Sequence, residues 1–294
     1  MAHAHSAAGA SRARLVIVLG ISAAVFVAEL VTGLLTNSLA LLADSAHVFT
    51  DLTGVVLALA AIGLASRPAT ERRTYGYYRL EILAAIVNAL LLFGIGGTVL
   101  YEAIRRFTTE PDIATGPMLL VAALGLIANL GSAALLREAG QKSLNMRGAY
   151  LEVLSDAFGS AAVLAAGAII ALTGFRAADA IASALIGLLI LPRTWKLFRE
   201  ALDVLLEATP KGVEMAHVRQ HILETPGVRA LHDLHVWTIT SGMNVISAHV
   251  IVNEDADRTG VLRDLSRCLS DDFDIEHSTF QLETSDHVEE GTHA

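Results

Sequence analysis

Two pairs of ionisable residues share one spacing inside otherwise apolar stretches. His47 and Asp51 fall in "LLADSAHVFTD", and Glu152 and Asp156 fall in "AYLEVLSDAFGS". On an α-helix, residues i and i+4 stand on one face with Cβ atoms about 5–6 Å apart. Each pair can therefore grip one ion. Two such helices packed together offer one imidazole and three carboxylates, and four N and O donors in a tetrahedron suit a divalent transition metal, zinc above all. The competing reading is ordinary polar residues satisfied by neighbouring helices. Ionisable groups in the middle of a membrane span are expensive and functional by default, and two matching pairs favour the metal. Asp44, one turn before His47, could ligate, relay protons or orient His47, with orientation ranked first. Glu29 could line the same cavity or be paired structurally. Asn88 and Asn129 are expected to hydrogen-bond between helices.

The elements that must hold these residues follow from hydropathy. The chain has 294 residues, 53% hydrophobic and only 17% charged, against roughly a quarter charged in a soluble domain. A span needs about 20 apolar residues. Six segments qualify, near 14–36, 38–65, 80–103, 114–136, 148–172 and 177–197, with short polar loops between them. Twelve Lys and Arg flank one side of this arrangement; Arg105, Arg106 and Arg176 flank the other. That asymmetry puts both termini in the cytoplasm. The start runs directly into an apolar segment too long for a signal-peptide core, so no cleavable signal is expected. Residues 1–13 are expected to be a disordered segment, 14–205 the six-helix domain, 206–284 a cytoplasmic domain and 285–294 a disordered tail.

Charge separates the two parts. From residue 206 onward there are 16 acidic and 6 basic residues, a balance of −10, whereas the first 205 residues balance to +1. An acidic tail attracts cations and argues against nucleic acid as a partner. After "LLEATPKG" the pattern reads helix ("EMAHVRQHILETPG"), two strands about the turn "TSG", a second helix ("RTGVLRDLSRCLSDDF") and a third strand ("DIEHSTFQLE"). That order fits a small ferredoxin-like α+β domain. The fold class is thus an α-helical polytopic membrane protein with six transmembrane helices and a C-terminal ferredoxin-like domain. The single cysteine, Cys268, excludes an internal disulfide and any CxxC knuckle.

As a set, "SLALLADSAHVFTDLTG", "RRTYGYYRLEILAAIVNALLL", "NMRGAYLEVLSDAFGS" and "LHDLHVWTITSG…SAHV…HSTFQLE" resemble the cation diffusion facilitator family over residues 14–284. The resemblance implies a homodimeric divalent-cation/proton antiporter in the cell membrane, with both termini cytoplasmic. It would export Zn2+, and in some members Cd2+, Co2+, Ni2+, Fe2+ or Mn2+, by alternating access. The ion is substrate and regulatory ligand; no resident cofactor is implied. The family's transport site would fall on His47, Asp51, Glu152 and Asp156. The departure is Glu152, where zinc members commonly carry His. Glutamate makes the site harder, so a broader Zn/Cd/Co range is expected, with Mn2+ or Fe2+ as the alternative. The loop "SRPATERRTYGYY" has neither His nor Asp, and no metal site is expected there.

Eight of the eleven histidines lie after Leu206. The family's cytoplasmic site would map to His232, His249 and His277, with Glu283 as a fourth ligand. Six residues of straight strand separate His277 from Glu283 by about 20 Å, so both bind one ion only if the strand bends. His235 lies three residues from His232 and is expected on the opposite face, although "HDLH" leaves the choice open. His217 and His221 are i, i+4 on a helix, either metal-binding or an exposed face. His3 and His5 could reach the tail of a partner protomer. A rival class, an intramembrane metal hydrolase, would need a general base beside an open metal position; no HExxH occurs, and two symmetric pairs fit reversible ion capture better.

Overall fold

The structure, a computed structural model, describes residues 2–109, 111–141 and 144–284. The expected tail 285–294 lies outside the described residues, as do the side chains of His3 and His5. Among the described residues, six helices are long and apolar enough to cross a membrane: α1 (Ala2–Thr36), α2 (Leu39–Ala65), α3 (Leu80–Thr109), α4 (Thr115–Gly140), α5 (Leu144–Thr173) and α6 (Ala177–Leu205). Leu35, Leu172 and Leu189 are 79%, 86% and 75% exposed, as side chains facing lipid would be. The chain is a multi-pass membrane protein. Several helices outrun the expected spans: α3 continues to Thr109, α6 to Leu205, and α1 begins at Ala2 where a disordered segment was expected. Hydropathy marks only the stretch that lipid must cover, while backbone hydrogen bonding carries a helix on into polar turns.

The chain divides into two compact units, Met1–Leu59 with Val87–Phe198, and Ala60–Ile86 with Arg199–Ala294. In the first, the core is built from small residues that let helices approach closely, including Ala40, Ala43, Ala122, Ala166 and Ala182, filled by Leu41, Met118 and Val163. Asn37 takes a left-handed φ of 57°, which an asparagine tolerates, and so breaks α1 from α2. The start of α2 is then tied down from a distance. Asp179, 1% exposed, accepts hydrogen bonds from Ser38 Oγ (2.6 Å), Leu39 N (2.7 Å) and Ala40 N (3.2 Å). A carboxylate at a helix N-terminus satisfies its free amides and complements its dipole. Arg106, near the end of α3, lies 3.4 Å from Asp179 and donates to the Asn37 carbonyl at 2.5 Å. One buried carboxylate thus joins the ends of α2, α3 and α6.

The second unit carries α7 (Met215–Glu224), β1 (Val228–Thr240), β2 (Met243–Val252), α8 (Arg258–Phe273) and β3 (His277–Glu283), in the expected α-β-β-α-β order. The sheet order is β1-β2-β3. β1 and β2 form an antiparallel hairpin turned at Gly242, whose φ is +76°. β2 and β3 run parallel, which requires the crossover that α8 provides. Along β2, Ile246, Ala248, Val250 and Val252 are buried in a core shared with Val218 and Ile222 of α7 and Val261, Leu265 and Leu269 of α8. Both helices therefore cover one face of the sheet. By strand alternation, Ser247, His249 and Ile251 occupy the other face.

Candidate metal centres

The intramembrane centre assembles from α2 and α5. His47 Nε2 lies 3.7 Å from Asp51 Oδ2 and 3.5 Å from Asp156 Oδ1. Their side chains are 11%, 31% and 7% exposed. Zn–N and Zn–O bonds of about 2.0–2.2 Å at tetrahedral angles put N and O ligands about 3.4 Å apart, close to both separations. Asp51 Oδ2 and Asp156 Oδ1 are buried without a hydrogen-bond partner. Buried acceptors of this kind are rare and call for an explanation; a cation held between them and His47 supplies one. His47 and Asp51 face a cavity of about 100 Å3 whose lining also includes Asp44, Asn88, Ser155, Gly159, Arg193 and Thr194, from α2, α3, α5 and α6.

Glu152 is placed differently from the expectation that all four residues meet at one point. Both of its oxygens accept from Arg193 of α6, Oε1 at 2.8 Å and Oε2 closer still, while its carboxyl also neighbours Asp51. Three of the four expected ligands converge, and the fourth is held by a built-in cation. In the sequence Arg193 stands only as one of the twelve basic residues that flank one side of the spans. Pro192 beside it, inside α6, cannot donate to the carbonyl four residues back, but that irregularity does not name Glu152 as the partner.

Asp44 does not orient His47 as expected. Its Oδ2 accepts from Ser160 Oγ at 3.2 Å, and Ser160 in turn accepts from Asn129 Nδ2 at 3.3 Å. His47 Nδ1 has no hydrogen-bond partner. The reason is helical phase: three residues rotate a side chain by about 300°, so Asp44 turns about 60° away from His47 and meets α5 at Gly159. A Cβ at Gly159 would sit 2.3 Å from Asp44 Oδ1, so this glycine makes room for the carboxylate. Glu29, fully buried, lies beside Asp44 and against Gly125. Asn129 makes the expected interhelical bond, whereas Asn88 lines the cavity.

A second centre forms on the face of the tail sheet turned away from α7 and α8. His232 and His249 are cross-strand partners with ring centroids 5.0 Å apart. Glu283, its side chain only 1% exposed, reaches His232 Nε2 at 3.0 Å and His249 Nδ1 at 2.8 Å. His277 is not part of this group. It pairs with Val245 at the far end of β3, while Glu283 pairs with Ile251; the strand runs regularly between them, so the separation foreseen for a straight strand holds. His235 corrects a different expectation. Four residues of β1, from His232 to His235, stand against three of β2, from His249 to Ser247. A bulge of this kind inserts one residue and re-aims side chains. At its centre Asp233 takes a φ of +51°. The bulge puts His235 on the same face as His232, and its Nε2 pairs with Asp233 Oδ1 at 3.0 Å. Asp233 Oδ2 lies 4.0 Å from His249 Nε2, an acidic neighbour that the sequence reading passed over.

Comparison with known proteins identifies the family. The cation efflux transmembrane domain matches residues 15–206, and the cytoplasmic domain of cation efflux proteins matches residues 210–285. The chain is 47% identical to the metal cation efflux system protein CzcD of Cupriavidus metallidurans, over 96% of this chain and 89% of that protein. It is 36% identical to a cadmium, cobalt and zinc/H(+)-K(+) antiporter of Bacillus subtilis, covering 98% and 93%. It is 38% identical to the zinc transporter ZitB of Escherichia coli, covering 96% and 93%. Among solved structures, the metal-bound C-terminal domain of the Cupriavidus CzcD transporter is 43% identical over 24% of this chain and 99% of that one, with a TM-score of 0.24. With both domain models covering nearly all of the described chain, the protein belongs to the cation efflux, or cation diffusion facilitator, family.

Proposed function

We propose that this protein is a secondary transporter that exports Zn2+, together with Cd2+ and Co2+, from the cytoplasm in exchange for protons. The observation that carries this reading is the convergence of His47 Nε2 on two buried, unpartnered carboxylate oxygens of Asp51 and Asp156. The names of the relatives, zinc transporter and cadmium, cobalt and zinc antiporter, support the choice of ions.

In this mechanism the metal enters from the cytoplasmic side and binds His47, Asp51 and Asp156. Its charge neutralises the carboxylates and draws Glu152 away from Arg193 as the fourth ligand. Helix movement then exposes the site outward. Protons compete there for the imidazole and carboxylates and release the ion, because every ligand must lose its proton to hold metal. The Lys and Arg asymmetry of the loops supports an orientation in the cell membrane with both termini cytoplasmic. The tail joins two protomers, and metal at His232, His249 and Glu283 stabilises that pairing. Uptake of radiolabelled zinc into inverted vesicles tests the core of the proposal. Asp51→Ala and Asp156→Ala are expected to abolish uptake; retained uptake in either would refute the assignment.

A further inference from the structure

A third cluster of metal-binding side chains lies on the opposite side of the tail sheet, where α7 meets α8. His221 Nδ1 stands 3.3 Å from Cys268 Sγ and 3.3 Å from Asp272 Oδ2. Cys268 Sγ stands 3.6 Å from the same Asp272 oxygen. The three atoms form a nearly equilateral triangle with one nitrogen, one sulfur and one oxygen corner. Zinc bonds of about 2.3 Å to sulfur, 2.0–2.1 Å to nitrogen and 2.0–2.2 Å to oxygen, set at tetrahedral angles, require edges of about 3.6, 3.4 and 3.6 Å for N···S, N···O and S···O. The observed edges match within about 0.3 Å.

The surroundings suit an ion as well. Cys268 and Asp272 are i, i+4 on α8, the chelating spacing already seen in the membrane. The Phe273 ring meets His221 edge-on, with centroids 5.1 Å apart, and so fixes the plane of the imidazole. Asp271 and Glu224 add negative charge around the thiol. The side chains of His221 and Asp272 are 39% and 51% exposed, which leaves a fourth corner open to solvent. The two helices cover the buried face of the sheet, whereas His232 and His249 occupy the other, so the two tail sites are separate.

We propose that His221, Cys268 and Asp272 form an additional site for a thiophilic divalent cation, with water as the fourth ligand. Cadmium and zinc fit this mixed N/S/O set; manganese and magnesium do not. Binding displaces the thiol proton to solvent and forms a metal–sulfur bond, with no change of oxidation state. This goes beyond the transport reading and stands or falls apart from it.

The test exploits the single cysteine of the chain. In the full-length protein titrated with Cd2+, a sulfur-to-cadmium charge-transfer band in the ultraviolet can arise only from Cys268. One equivalent of that band is expected in the wild type. Cys268→Ser should remove it and lower the cadmium stoichiometry by one. His221→Ala with Asp272→Asn should shift its midpoint to at least about tenfold higher cadmium. No band once the remaining sites are full, or an unchanged midpoint in the double variant, overturns the proposal. A second measurement needs no variant: cadmium should slow alkylation of Cys268 in the wild-type protein, and an unchanged alkylation rate counts against the site.

Discussion

Replacing Arg193 with methionine should tighten metal binding at the intramembrane centre, although it removes a charged residue from the site. Arg193 grips both oxygens of Glu152. If the pair were sealed from water, removing one partner would cost about 3–5 kcal/mol. Here the two side chains are 53% and 26% exposed, and exposed pairs are worth about 0–1 kcal/mol. A value near 1 kcal/mol follows for this bidentate, half-exposed pair. An ion that recruits Glu152 must first break the pair, so Arg193→Met relieves it of about 1 kcal/mol, or roughly fivefold in affinity. Zinc titration in lipid nanodiscs measures this, with His249→Ala and Cys268→Ser present in every variant so that the tail sites are silent. The decisive comparison is a double-mutant cycle: in a Glu152→Gln background the gain from Arg193→Met should vanish. Equal gain in both backgrounds would mean that Arg193 only repels the ion. Unchanged or weaker binding in Arg193→Met would remove Glu152 from the ligand set.

Three further outcomes follow from the packing. Gly159→Ala drives a methyl group into Asp44 Oδ1, and overpacking of this kind costs about 1–3 kcal/mol; thermal unfolding should fall accordingly, and zinc uptake into vesicles should drop with it, whereas wild-type uptake would show that Asp44 has room to move. Asp179→Ala strands the Ser38, Leu39, Ala40 and Arg106 donors, so unfolding in detergent should show a loss of about 3–5 kcal/mol, and a loss under 1 kcal/mol would contradict the tie described above. Glu283→Gln keeps the shape of the tail centre but removes its charge, so metal affinity there should fall at least about tenfold, while zinc binding in the membrane stays as in the wild type; calorimetric titration separates the two.

What could be read from the chain depended on the range of the interaction. The six spans and the α-β-β-α-β tail were legible because hydropathy and strand alternation are local patterns. The His47–Asp51 pair was legible for the same reason: spacing along one helix fixes a shared face. Partnerships between distant residues were not. Nothing local to Arg193 says that it will take Glu152, 41 positions earlier, or that Asp179 will cap a helix about 140 positions before it. Phase misled once, since Asp44 is one turn from His47 yet rotated toward α5. Backbone irregularity misled once more: counting residues put His235 behind the sheet, and the left-handed Asp233 brought it to the front. Cys268 was read for what it excludes, because its partners His221 and Asp272 become neighbours only when α7 lies against α8.

The tie at Asp179 makes α2 a lever. Its ionisable residues ride at increasing distance from a fixed end, at 1.5 Å of rise per residue: Asp44 about 7.5 Å from Leu39, His47 about 12 Å and Asp51 about 18 Å. A tilt of about 10° around that end carries Asp44 by little more than 1 Å, His47 by about 2 Å and Asp51 by about 3 Å. Against a stationary Asp156, such a swing is enough to pull a tetrahedral edge of about 3.4 Å apart. On the proposed transport reading, a rigid rotation of one helix is therefore enough to release the ion with every backbone hydrogen bond intact.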